Sequence, residues 1–127
     1  MMRSFLFLTV VAFTGCTSGD FKLVDNNTGS SLNVAKGGTD TRTFTLTAEG
    51  HYLNTKFNVT GSAGDSSITA TPSATQVDTG SGGSVDITLE VAVPANFSST
   101  LSSATLRVQD VNDAQSFASD SFTINIQ

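Results

Sequence analysis

Residues Ser84 to Val93, SVDITLEVAV, alternate without a break: Val85, Ile87, Leu89, Val91 and Val93 on one side, Asp86, Thr88 and Glu90 on the other. A period of two sends successive side chains to opposite faces of an extended chain, whereas a helix needs apolar residues three and four apart. This stretch therefore dictates a strand with one buried face. Pro94 closes it, because proline cannot donate to a ladder.

The same period recurs along the chain. Phe44, Leu46 and Ala48 alternate with Thr43, Thr45 and Thr47; within His51 to Thr60, Leu53, Phe57 and Val59 share a face with Thr55. A turn at GSAGDSS precedes a short strand, Ile68-Thr69-Ala70, that stops at Pro72. Ala104, Leu106 and Val108 line a further strand, and Phe122, Ile124 and Ile126 the last. These two predict a hairpin around DVNDAQS, with Leu106 opposite Phe122, Ala104 opposite Ile124 and Val108 opposite Asp120, a register that keeps the apolar residues on one face. Helix formers nowhere gather at helical spacing. About seven short strands, with turns roughly every 8–12 residues, predict an all-β, two-sheet sandwich over residues 41–127.

The amino terminus obeys a different logic. Arg3 precedes an apolar run from Phe5 to Phe13, about 9 residues long, the length of an export signal and well short of the roughly 20 that span a bilayer. At its end Phe13-Thr14-Gly15-Cys16 resembles the lipobox of bacterial lipoproteins, with Phe13 standing where leucine is usual. The resemblance implies cleavage after residue 15, lipidation of the Cys16 thiol and acylation of the new amino terminus. Two or more acyl chains hold a protein stably, where one does so only marginally. Thr17, rather than aspartate, follows the cysteine, which under the same resemblance favours the outer membrane or cell surface of a bacterial envelope. An ordinary secretory signal with an unmodified cysteine is the competing reading.

Cys16 is the only cysteine, so no disulfide can staple the fold and apolar packing must hold it alone. Residues 16–40 read as a lipidated, flexible tether. Its turn-rich stretches TSGD, DNNTGSS and AKGGTD separate two weak strands, Phe21–Val24 and Leu32–Val34. The net charge is −5, and −6 once Arg3 leaves with the signal; with no basic cluster to offset it, this balance excludes nucleic acid as a partner.

From residue 40 onward the chain resembles bacterial immunoglobulin-like surface domains. The resemblance rests on SVDITLEVAVPAN and on SATLRVQDVNDAQSFASDSFTINI, which is similar to the terminal hairpin of such domains. Ala104 occupies the position where such domains often carry a corner-forming tyrosine, and their Cys…Trp…Cys core is missing.

Few residues suggest chemistry. Asp110-Val111-Asn112-Asp113 resembles the acidic motif of cadherin linkers, and the predicted register brings Asp120 to the same end of the hairpin, so Asp110, Asn112, Asp113 and Asp120 are the candidate calcium ligands. A polar turn built from Asn and Asp explains the same residues. TGSGGS, Thr79 to Ser84, lacks the following helix that a phosphate loop needs and reads as a flexible loop. His51, the only histidine, has no nucleophile or second ligand implied beside it. Thr41, Thr43, Thr45 and Thr47 form a row that could face ice or sugar, but threonine is favoured on any exposed strand face. Sequons at Asn26, Asn58 and Asn96 matter only on a eukaryotic secretory route. No catalytic residue and no cofactor is implied.

The chain therefore reads as a non-enzymatic, lipid-anchored envelope protein whose domain binds, adheres or supports structure. Its loops GSAGDSS, DTGSGG, ANFSSTLSS and VNDAQS would offer recognition of a protein or glycan. The alternative is a self-assembling, pilus-like fibre subunit in which a weak terminal strand completes a neighbour's sheet, giving a homo-oligomer.

Overall fold

The computed structural model describes residues 19–127; the signal segment and Cys16 lie outside the described residues. Over the described residues the chain folds into an immunoglobulin-like β-sandwich of nine strands in two sheets. They are β1 (Asp20–Asp25), β2 (Ser31–Val34), β3 (Thr39–Glu49), β4 (Lys56–Ala63), β5 (Thr69–Pro72), β6 (Gln76–Asp78), β7 (Ser84–Ala92), β8 (Leu101–Asp110) and β9 (Phe117–Ile126), with a short 3-10 turn at Gly50–Tyr52. One sheet has the order β1-β3-β7-β5 and the other β2-β9-β8-β4-β6.

The alternation read from the sequence sorts the faces of β3, β4, β7, β8 and β9 correctly. Phe44 and Leu46 of β3, with Ile87, Leu89 and Val91 of β7, meet Phe57 and Val59 of β4, Leu106 and Val108 of β8, and Phe122 and Ile124 of β9. Every one of these side chains is buried. Burying a side chain of this size contributes about 1.5–3 kcal/mol, which is how so small a body stands without a crosslink.

The sandwich begins at Asp20 and not at Thr41, so much of the expected tether is part of the fold. β1 pairs antiparallel with β3, setting Phe21 opposite Ala48 and Leu23 opposite Leu46. The Phe21 ring lies 4.6 Å from Tyr52 and 4.8 Å from Phe57, centroid to centroid. β2 then joins the other sheet, parallel to β9, and buries Leu32 and Val34. The Asn26–Ser30 turn signals mark the crossing between sheets, not a loose linker. An outward-facing Val24 had blurred the alternation of β1.

The opposite flank is closed in the same way. β5 pairs with β7 in the first sheet, after which the chain crosses to pair as β6 with β4 in the second. Ser73 N–H donates to the Thr88 carbonyl and Val59 N–H to the Thr75 carbonyl on either side of the crossing. β6 carries no alternation of its own and was not expected. The segment read as a strand from His51 starts only at Lys56, because Asn54 takes a left-handed φ of 52° that breaks extension.

The terminal hairpin forms with its register shifted by two. Ala104 faces Phe122, Leu106 faces Asp120 and Val108 faces Ala118. A shift of two preserves which side chains point inward, so the apolar pattern could not decide between the registers. The turn decides. Asp110 N–H donates to the Ser116 carbonyl at 2.9 Å, and the Asp113 carboxylate accepts from the Gln115 N–H at 3.0 Å and the Ser116 hydroxyl at 2.9 Å.

Candidate functional site

The four candidate calcium ligands do not assemble. Asp110 Oδ1 accepts the Asn112 N–H at 2.9 Å, and the Asp113 carboxylate is engaged as above, so the turn uses these oxygens to hold its own shape. The corrected register carries Asp120 three ladder positions from the last pair, about 10 Å away. Among the described residues, no group of three or more His, Cys, Asp or Glu side chains is placed to hold a metal ion.

Asp120 belongs to a different cluster, which the sequence reading missed. Arg42 lies on the inward phase of β3 with Phe44 and Leu46 and is only 1% exposed. Its Nε donates to Asp25 Oδ2 at 2.7 Å, its Nη1 to the Ser31 carbonyl at 2.8 Å and its Nη2 to the Gly29 carbonyl, while its guanidinium lies 5.0 Å from the Phe122 ring centre. Half-buried Asp120 approaches the same group. Burial and the neighbouring Asp25 charge raise its carboxyl above the usual range, against the opposing pull of the Ser121 N–H and Arg42. The guanidinium fastens the β1–β2 crossing to the sandwich, and its occupied donors mark it as a structural bolt. The signal was present: a charged residue in phase with an apolar row.

The glycine-rich Thr79–Ser84 stretch is held at its two ends, by Thr79 and Gly83. The buried Thr79 hydroxyl donates to the Tyr52 carbonyl at 2.6 Å and accepts the Thr55 N–H at 3.0 Å. Gly83 adopts φ 71°, and a Cβ there would fall 2.2 Å from the Ala48 carbonyl oxygen. His51 is exposed and leans against Tyr52, with ring centres 4.1 Å apart and planes 39° from parallel.

The proposed recognition loops divide between the two ends. VNDAQS and DTGSGG lie with Gly19 and the 3-10 turn: Val111 N–H donates to the Lys56 carbonyl, Asn54 N–H to the Gly80 carbonyl, and a Cβ on Gly19 would touch Glu49 and His51. GSAGDSS and ANFSSTLSS lie at the other end with Gly37 and Gly38, where Gly37 N–H donates to the Val93 carbonyl and Gly64 N–H to the Ser103 carbonyl.

The two outer faces differ in chemistry. That of the β1-β3-β7-β5 sheet carries the threonine row with Asp20, Glu49, Asp86 and Glu90; Thr45 donates to Asp86 at 2.8 Å and receives Asn26 Nδ2 at 2.6 Å. The opposite face is nearly free of acids. Ladder pairing aligns Gln76, Asn58, Gln109 and Phe117 in one row across β6, β4, β8 and β9. Gln76 Nε2 donates to Asn58 Oδ1 at 3.3 Å, and Arg107 Nη2 to Gln109 Oε1 at 3.0 Å. Arg107 stacks 3.8 Å from the centre of the Phe117 ring, which is 48% exposed. Thr105 and Ser121 share a hydrogen bond of 2.8 Å in the neighbouring region, and Asn125 donates to Asn33 at 3.3 Å further along. Here too the sequence held a signal that was passed over: Phe117 falls on the outward phase of its strand.

No family model matches the chain, and no curated protein matches it. Among solved structures it is similar to tripeptidyl peptidase 2 (TM-score 0.56, 12% identity, 85% of this chain and 10% of that one). It is also similar to a family 123 glycoside hydrolase from Clostridium perfringens (TM-score 0.55, 8% identity, 87% of this chain and 27% of that one). Domains 4 and 5 of the S-layer protein SbsC align at TM-score 0.47 and 19% identity, over 87% of this chain and 53% of that one. The chain thus spans between a tenth and about half of these proteins, and what it shares with the peptidase and the glycoside hydrolase is the fold.

Proposed function

We propose that this chain is a lipid-anchored protein of the bacterial cell envelope, favouring the outer membrane or cell surface, whose immunoglobulin-like domain is a non-catalytic binding or structural module. The observation that carries the reading is the position of Cys16: it ends an export-signal pattern and stands only four residues before β1. Thr17, Ser18 and Gly19 can extend roughly 11–14 Å with the cysteine, so an acyl anchor there would hold the sandwich close to the headgroups. The Gly19 end would then face the membrane, and the loops at residues 35–38, 64–68 and 94–100 would face outward.

The fibre-subunit alternative needs an unfilled position in a sheet. Among the described residues both flanks are occupied by the chain's own crossing strands, which favours the anchored monomer. Mass spectrometry of the exported protein, together with envelope fractionation of Cys16→Ser, tests the anchor. A diacyl or triacyl mass on residue 16, and release of the serine variant, is the expected outcome. An unmodified thiol would overturn it.

A further inference from the structure

We propose that the outer face of the β2-β9-β8-β4-β6 sheet binds an acidic, hydroxyl-rich polysaccharide, with Phe117 as the stacking ring, Arg107 as the carboxylate partner and Gln109, Asn58 and Gln76 as the row that reads hydroxyls. This names the partner of the binding module proposed above and rests on that part of the reading, but not on the anchor.

The face has the donor and acceptor chemistry such a chain requires. Each amide side chain both donates and accepts, as each sugar hydroxyl does, and three amides stand in register on adjacent strands. The four-strand row from Gln76 to Phe117 spans about 14 Å at the spacing of neighbouring strands. That length suits a run of sugar units rather than a single one.

Phe117 supplies what a purely polar face lacks. One face of the half-exposed ring is covered by the Arg107 guanidinium, and its remaining exposed surface, amid serine, threonine and amide neighbours, is where the C–H face of a sugar can pack. Arg107, seated over that ring, is fixed in orientation by it and by Gln109. A guanidinium held in this way retains donors for a carboxylate, and such charge-assisted bonds are roughly twice as strong as neutral ones.

Charge selects the face. The protein carries −5 overall, and the opposite sheet presents Asp20, Glu49, Asp86 and Glu90 against the single cation Lys22. On the proposed platform the charged strand residues are Arg107, Lys56 and Asp78, the last with Oδ1 accepting the Gly80 N–H at 2.8 Å. An acidic chain is therefore repelled from one face and accepted on the other.

The test titrates the full chain, solubilised in detergent, with hexamers of galacturonate, mannuronate and guluronate, and with a neutral glucose hexamer. Saturable binding of a uronate hexamer is expected, at least about tenfold tighter than of the neutral one. Phe117→Ala and Arg107→Gln should each weaken it about tenfold; Phe117→Leu, which preserves apolar packing, should weaken it as well. Thr43→Ala on the opposite face should leave it unchanged. Absence of saturation with every uronate hexamer, preference for the neutral hexamer, or binding that survives Phe117→Leu would overturn the proposal. Cys16→Ser should bind as the parent does, so a lost anchor and a lost platform are separate results.

Discussion

Arg42 occupies a place in β3 where the alternation requires an apolar side chain, and its partners explain the exception. It ties Asp25 at the end of β1 to the carbonyls of Gly29 and Ser31 at the start of β2. Removing one member of a buried pair leaves the other uncompensated, a loss of about 3–5 kcal/mol. Arg42→Met should cost about 3 kcal/mol, near the low end because Asp25 keeps some solvent contact, as read from urea unfolding. Asp120 makes a separate prediction. Its carboxyl is raised in the folded state, so the folded protein holds that proton more tightly than the unfolded chain does. This contribution therefore favours folding at low pH and is lost as pH rises from the ordinary carboxylate value through the raised one. Asp120→Asn should raise the melting temperature at neutral pH and flatten its dependence across that window. A neutral-pH melting point below that of the parent would contradict this.

Among the elements, the strands that cross between sheets depend on close backbone approach. A Cβ on Gly61 of β4 would lie 2.5 Å from the Ala70 carbonyl oxygen and 2.7 Å from Leu89 Cδ1. Gly61→Ala must push β5 away from β4 and should cost about 1–3 kcal/mol, whereas Gly82→Ala, with open space around its Cβ, should be close to neutral in the same thermal melts. The contrast also shows what a sequence can disclose. β3, β7, β8 and β9 were legible because long alternation identifies their buried faces. β6 spans three residues and owes its form to β4, so nothing local announced it. The β8–β9 register was hidden because pairings two apart have identical faces, and only the hydrogen bonds of Asp110 and Asp113 separate them. The amide row of the candidate platform was hidden for a related reason: Gln76, Asn58, Gln109 and Phe117 are scattered in sequence and meet only through the ladders.

For the molecule as a whole, the decisive fact is that β1 and β2 serve different sheets. A chain shortened to begin at Thr41 would lose both, together with Phe21, Leu23, Leu32 and Val34 from the interior. It should show no cooperative unfolding and should associate during size-exclusion chromatography, while a chain beginning at Gly19 should elute as a folded monomer. Equal behaviour of the two would contradict the assignment of these strands to the body.

The parallel alignment of β2 with β9 also has a mechanical consequence. Tension applied between residues 19 and 127 would slide β2 along β9 rather than peel them apart, since Leu32 lies beside Ile124 and Val34 beside Ile126 with both strands running the same way. Their bonds would share the load and yield together, so a pulling experiment should meet a single abrupt rupture rather than a gradual unravelling.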